Sequence, residues 1–214
     1  RVFEQIQTAI VKGHIPPGSK ITEPGLAKKY GISRGPLREA IRRLEGRRLI
    51  KRTPHVGARV VSLSFEELLE IYDVREAMEG MACRLAARNM TQEEIDSLRA
   101  LLAHHEETAE LQEGVAYYQK EGDLDFHFRI VLGSKNEKLT ELLCGELYHL
   151  VRMYRYQFSA SSSRPKRAFE EHHRIVDAIE QRDEELAEML MRRHISASRK
   201  NVEQRLREFQ AEQP

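Results

Sequence analysis

One change of period governs what this chain can become. Apolar residues recur at three- and four-residue spacing along almost its whole length, the mark of amphipathic helices. Near residues 49–61 the pattern changes. Leu49-Ile50-Lys51-Arg52 and Ala58-Arg59-Val60-Val61 read as two short strands, joined by Thr53-Pro54-His55-Val56-Gly57 into a β-hairpin. From Ser62 onward no alternating segment is long enough for a sheet. The expected fold is mainly α, with a small head at 1–62 and an all-helical antiparallel bundle at 63–214.

Charge divides the chain at the same place. Residues 1–62 carry 14 Lys/Arg against 4 Asp/Glu, a net of +10, and the remainder carries 21 against 30, a net of −9. A basic module on an acidic body is the balance of a nucleic-acid-binding head, since excess positive charge supplies attraction to phosphates whatever the base sequence. No stretch approaches the roughly 18 consecutive apolar residues of a membrane span. The first twelve residues read as an amphipathic helix rather than a secretion signal, so a cytoplasmic protein is expected. Cys83 and Cys144 sit in apolar helical patterns without metal-pair spacing, the pattern of buried free thiols.

Within the head, Val2, Ile6, Ala9 and Ile10 mark a first helix ending near Gly13. A short helix from Thr22 or Glu23 to Tyr30 is closed by Gly31, a residue suited to a positive-φ cap. Ser33 is a candidate N-cap for a longer helix, Arg34 to Arg47, with Leu37, Ile41 and Leu44 as its buried stripe. Two short helices joined through glycine form a helix-turn-helix. Arg34, Arg38 and Arg42 recur every four residues and so share one face of the second helix. A helix with arginines near its N-terminus can enter the major groove, where a guanidinium bonds two acceptors on guanine or grips phosphates. Pro36 is tolerated in the first turn, where its missing N–H has no partner to lose.

The stretch G-H-I-P-P-G-S-K-I-T-E-P-G-L-A-K-K-Y-G-I-S-R-G-P-L-R-E-A-I-R-R-L-E, followed by R-L-I and V-G-A-R-V, resembles the winged helix-turn-helix of the GntR family, FadR branch. The resemblance implies operator contacts by Arg34 and Arg38 and an approach by Gly57 at the wing tip, with Ser33, Gly35 and Arg42 as further candidates. Pro24 and Val56 depart from the family pattern, at places where a polar or basic residue and an arginine are common.

Six helices are expected in the body: Ser64 to about Arg88, Thr91 to about Gln112, Gly114 to Leu132, Asn136 to Phe158, Arg164 to Gln181 and Asp183 to Glu208. Asp123 and His127 lie four apart and project from one helix face, while His172 and His194 come from two further helices. Such a set can ligate a divalent ion, although accidental i, i+4 pairs are common among nine histidines, and solvated or core-satisfied imidazoles equally fit the spacing. The segments Asp-Leu-Asp-Phe-His (123–127), Glu-His-His-Arg-Ile-Val-Asp-Ala-Ile (171–179) and Met-Arg-Arg-His-Ile (191–195) are similar to the FCD domain found behind such heads. That similarity implies Asp123, His127, His172 and His194 as ligands of zinc, nickel or manganese, with zinc the first expectation, and leaves His173 at the surface. It also implies Arg75 as a carboxylate clamp, against which stands a surface pair with Asp73 or Glu79. Arg152 and Tyr156 are candidates for the effector pocket wall.

The expectation is thus a homodimeric regulator that reads a pseudo-palindromic operator in double-stranded DNA, controlled by a small organic acid beside the metal. The alternative makes the ion itself the effector. An enzyme is not expected, because the sequence offers no evident general base, HExxH or nucleophile motif. Nothing in the residues selects the acid; 2-methylcitrate, lactate, a sugar acid and a fatty-acid derivative stay open.

Overall fold

The structure is a computed structural model that describes residues 2–107, 126–158 and 164–211. Its contacts divide the chain into two compact units, Arg1–Ser64 with Gly145–Gln157, and Phe65–Cys144 with Phe158–Pro214.

In the first unit, helix α1 (Val2–Val11) leads through a turn to strand β1 (Lys20–Ile21), then to α2 (Glu23–Tyr30) and α3 (Arg34–Gly46). Gly31 caps α2 with φ +63°, its N–H bonded to the Ala27 carbonyl, as a left-handed cap requires. Strands β2 (Ile50–Thr53) and β3 (Gly57–Val60) form the wing, and β1 adds to the far side of β3, giving the antiparallel order β1-β3-β2. The sheet therefore has three strands, where the sequence reading names two. Two residues are too few for an alternating pattern to show.

Ile6, Ile10, Leu37, Ile41, Leu44, Leu49 and Val60 are almost wholly buried and join the helices to the inner sheet face. Helix α8 (Tyr148–Phe158) belongs to this unit for most of its length, and Leu150, Val151 and Met153 are buried. The Tyr154 hydroxyl accepts a hydrogen bond from the Leu63 amide.

The second unit is helical among its described residues: α4 (Phe65–Asn89), α5 (Gln92–Glu107), α6 (Phe126–Gly133), α7 (Glu137–Thr140), α9 (Arg164–Glu180) and α10 (Glu184–Ala211). Thr91 and Glu94 form a capping box at the start of α5. Thr91 Oγ1 accepts from the Glu94 amide (3.2 Å), and Glu94 Oε2 accepts from the Thr91 amide (2.9 Å). Asn136 caps α7 by accepting from the amides of Lys138 and Leu139. From Asn136 the sequence reading runs one uniform helix to Phe158; the structure instead inserts a π-helical segment at Glu141–Leu147 between α7 and α8. A wider turn shifts the helix phase, and a 3.6-residue period carries no mark of it.

Helices α4 and α10 pack antiparallel along their length, as four ion pairs in reversed order show: Asp73 with Arg199, Glu76 with Arg192, Arg84 with Glu188, and Arg88 with Glu184. Gly80 permits this close approach, because a Cβ there would stand 2.6 Å from Cγ of Arg192. Between these helices and α5, α6 and α9 lies a core of Tyr72, Ala82, Cys83, Ile95, Leu98, Phe126, Ile175, Val176, Met191 and Ile195. Neither cysteine forms a disulfide; Cys83 is buried and Cys144 half-buried.

Candidate functional site

Three helices converge on one point inside the second unit. His127 from α6, His172 from α9 and His194 from α10 are all buried, and their ligand nitrogens lie within 4.8 Å of one another. Nε2 of His194 stands 3.3 Å from Nε2 of His172 and 3.2 Å from Nε2 of His127. On the outer side, Nδ1 of His127 lies 2.7 Å from Glu79 Oε2, and Nδ1 of His194 lies 2.7 Å from Glu171 Oε2. A carboxylate on Nδ1 fixes the tautomer: Nδ1–H donates, and Nε2 keeps its lone pair. The nitrogens so placed come together in a buried cluster, the donor set of a cation site.

The spacing fits that cation. Nitrogens bound tetrahedrally at about 2.0–2.1 Å stand about 3.3 Å apart, the separation of His194 Nε2 from each of the other two. The ring of His172 is held by stacking on Phe126, centroids 3.9 Å apart and planes within 18°. Asp123, the fourth ligand expected from the sequence, lies outside the described residues.

Arg75 reaches the same cluster through Glu79. Its Nε donates to Glu79 Oε1 at 2.6 Å, and both side chains are about 5% exposed. The pairing with Glu79 that the sequence left open is present, but inside the protein rather than on its surface. The guanidinium lies 4.9 Å over the Tyr72 ring, and its buried Nη1 has no hydrogen-bond partner among the described residues. A charged donor left unsatisfied away from water is costly, and a site for an anion is one explanation for keeping it.

Glu79 as a partner of His127, Glu171 and Phe126 were not singled out from the sequence. Glu79 sits four residues from Arg75, and Glu171 adjoins His172, so both signals were present but looked like ordinary solvated charges.

Arg152 lies on α8 in the first unit and is half-buried. His149, one turn earlier, is buried, and desolvation pushes its imidazole down to about 3, with the Arg47 and Arg152 charges acting in the same direction. The Tyr156 side chain lies outside the described ones.

In the head, Ser33, Arg34, Gly35, Arg38 and Arg42 are all exposed along the front of α3. Ser33 occupies the N-cap position with extended backbone, but its side chain makes no capping bond. Arg34 has no protein partner among the described residues. Nε of Arg38 donates to Glu23 at 2.8 Å, and Arg42 pairs with Glu39 at 2.8 Å. Gly57 adopts φ +94° at the wing tip, a conformation L side chains rarely take.

The FCD domain model matches residues 70–197, over half the chain, and the model of bacterial regulatory proteins of the gntR family matches residues 1–60. The chain belongs to the GntR family. Among curated relatives, the HTH-type transcriptional repressor GlaR of Escherichia coli (strain K12) is 31% identical over 202 residues, covering 90% of both chains. A probable D-xylose utilization operon transcriptional repressor of Paenarthrobacter nicotinovorans is 33% identical over 201 residues, 92% of this chain and 85% of that one. The solved structure of E. coli McbR/YncC superposes with a TM-score of 0.72 at 23% identity, covering 96% of each chain, and so shares the fold. These families and relatives are transcription regulators rather than enzymes. The protein is thus a bacterial GntR-family regulator with a winged helix-turn-helix head and an FCD body, and no described helix is long and apolar enough to cross a membrane.

Proposed function

We propose that this regulator binds a pseudo-palindromic operator as a symmetric dimer, and that a small carboxylate bound beside a divalent metal in the FCD body sets its affinity. The observation that carries the reading is the convergence of three buried imidazoles, with Nε2 of His194 at 3.2–3.3 Å from the other two Nε2 atoms and two of the rings held from behind by carboxylates. His127, His172 and His194 would hold the ion, with Asp123 as the fourth ligand, and zinc fits the spacing. When bound, a divalent cation with open positions favours an anionic effector in a low-dielectric pocket. The residues do the rest. Glu79 and Glu171 keep the imidazoles in one tautomer, and Arg75 presents a spare N–H of a fixed guanidinium to a carboxylate. Since α4, α6, α9 and α10 each supply a side chain, an acid there would favour one arrangement of these helices over another. It shifts operator affinity only by its differential affinity for those arrangements. In the head, Arg34, Arg38 and Arg42, with Ser33, Gly35 and Gly57, would face the DNA.

The Arg75 Nη1, unpartnered among the described residues, favours an acid over the ion alone as effector, because a metal bound by imidazoles leaves that donor unanswered. The test combines metal analysis of the purified protein with gel-shift titration on an operator fragment selected from a random pool, using a panel of small carboxylic acids before and after chelation. About one metal per chain, and an acid response that chelation or Arg75→Ala abolishes, is the expected result. Operator affinity that follows the metal but ignores every acid moves the reading to a metal sensor. A chain that purifies without metal and cannot be loaded sinks the site.

A further inference from the structure

The register of the wing sheet lines up three cations. Lys20 on β1 is directly opposite Arg59 on β3, and Arg59 is directly opposite Lys51 on β2. Strand side chains alternate, so these three share the outer face, whereas the neighbouring Ile21, Ala58, Ile50 and Val60 are buried on the inner one. All three are exposed. Like charges directly opposite across a sheet destabilise it. The sheet does not neutralise them. Among the described residues none of the three meets a carboxylate, and Arg59 spends one N–H on the Gly18 carbonyl at 2.9 Å. The carboxylate that β2 does engage is on the other face, where Arg52 pairs with Glu45 at 2.8 Å. Lys20 also borders a shallow groove with Thr53, Val56 and Gly57, which joins the row to the wing tip.

We infer that Lys20, Arg59 and Lys51 form a phosphate-binding row, which grips the sugar-phosphate backbone of duplex DNA beside the wing and reads no base. The inference rests on the regulator reading and extends it to a sheet face that the recognition helix and wing tip do not include. Two strand spacings make a row about 10 Å long. Duplex DNA, with one phosphate per about 3.4 Å of axis on each strand, sets two or three charges against it. The polyanion supplies the counter-charge the fold withholds.

The test is the salt dependence of binding to a random-sequence duplex of about 30 base pairs, measured with the whole chain as Lys20→Gln/Lys51→Gln. Each lost phosphate contact lowers the slope of log affinity against log salt by about 0.9, so the double variant should lose about 2 from the slope for each head bound, and about twice that for a dimer with both heads on the duplex. The loss should be the same on a selected operator, and Lys20→Arg/Lys51→Arg should restore it. Thermal unfolding of the glutamine variant should come no lower than wild type, because a repulsion has been removed; this also shows that the variant folds. An unchanged slope overturns the proposal, including the case in which the row instead meets an acidic protein surface. A loss confined to the operator overturns it too, because that would be base readout. A wild-type chain that ignores duplex DNA even at low salt sinks the regulator reading itself, a result distinct from either.

Discussion

Two arginine–glutamate pairs show how differently the two ends of this protein use charge. Arg38–Glu23 in the head has side chains 65% and 28% exposed, while Arg75–Glu79 in the body has both at 5%. The first pair is a loose association that water can replace, so Arg38 is available to another partner at little cost. The second is a commitment: once buried, each charge must be answered, and Glu79 is answered twice, by Arg75 and by the Nδ1 of His127. An exposed surface therefore says little about its partner beyond sign and shape. A buried polar cluster says more, because every unsatisfied atom in it is a constraint on what binds.

The widest consequence of that contrast lies in the buried pair. Glu79→Ala strips Arg75 and His127 of their shared partner and should cost about 3–5 kcal/mol of body stability, with metal affinity falling about 10–100-fold. Denaturant unfolding and competition titration measure the two losses; a stability cost within experimental error would mean that Arg75 reaches water after all. Next comes Arg38→Ala, which should weaken operator binding by about 1–3 kcal/mol while barely moving the melting temperature. An equal loss on unrelated duplex would recast Arg38 as a phosphate contact.

A third expectation concerns pH. His149 stays neutral in the fold down to about 3, whereas the unfolded chain protonates it near the ordinary 6.5. Between those values the unfolded state binds more protons, so stability drops as pH falls, by up to about 1.4 kcal/mol per pH unit. His149→Gln should flatten that limb of the stability profile, and an unaltered limb would assign the acid sensitivity elsewhere. The smallest effect belongs to the exposed pair. Glu23→Ala should change stability by less than about 1 kcal/mol and leave DNA affinity equal or higher, since it frees Arg38.

Much of the head was legible because its signals are local. Gly31, the Leu37/Ile41/Leu44 stripe and the arginines four apart each report on a few neighbouring residues. The three histidines were legible only through the FCD resemblance, since their spacing of 45 and 22 residues names no geometry. Glu79 and Glu171 escaped as partners of the histidines for a physical reason. A carboxylate among Glu and Arg neighbours reads as solvated, and only the packing of α4 and α9 makes it an inward-facing partner. Strand β1 and the π-helical segment escaped because one is too short and the other too subtle for a periodicity to register.

One turn beyond Glu79 on the same helix, Cys83 lies wholly enclosed, and burial raises its thiol well above the usual range. The nucleophile in alkylation is the thiolate, so this sulfur is silent toward maleimide or iodoacetamide while the body stays closed. Its labelling rate is therefore a clock for the opening of the helices around the histidines. Anything that tightens that cluster, whether ion or acid, should slow the clock without the operator being present at all.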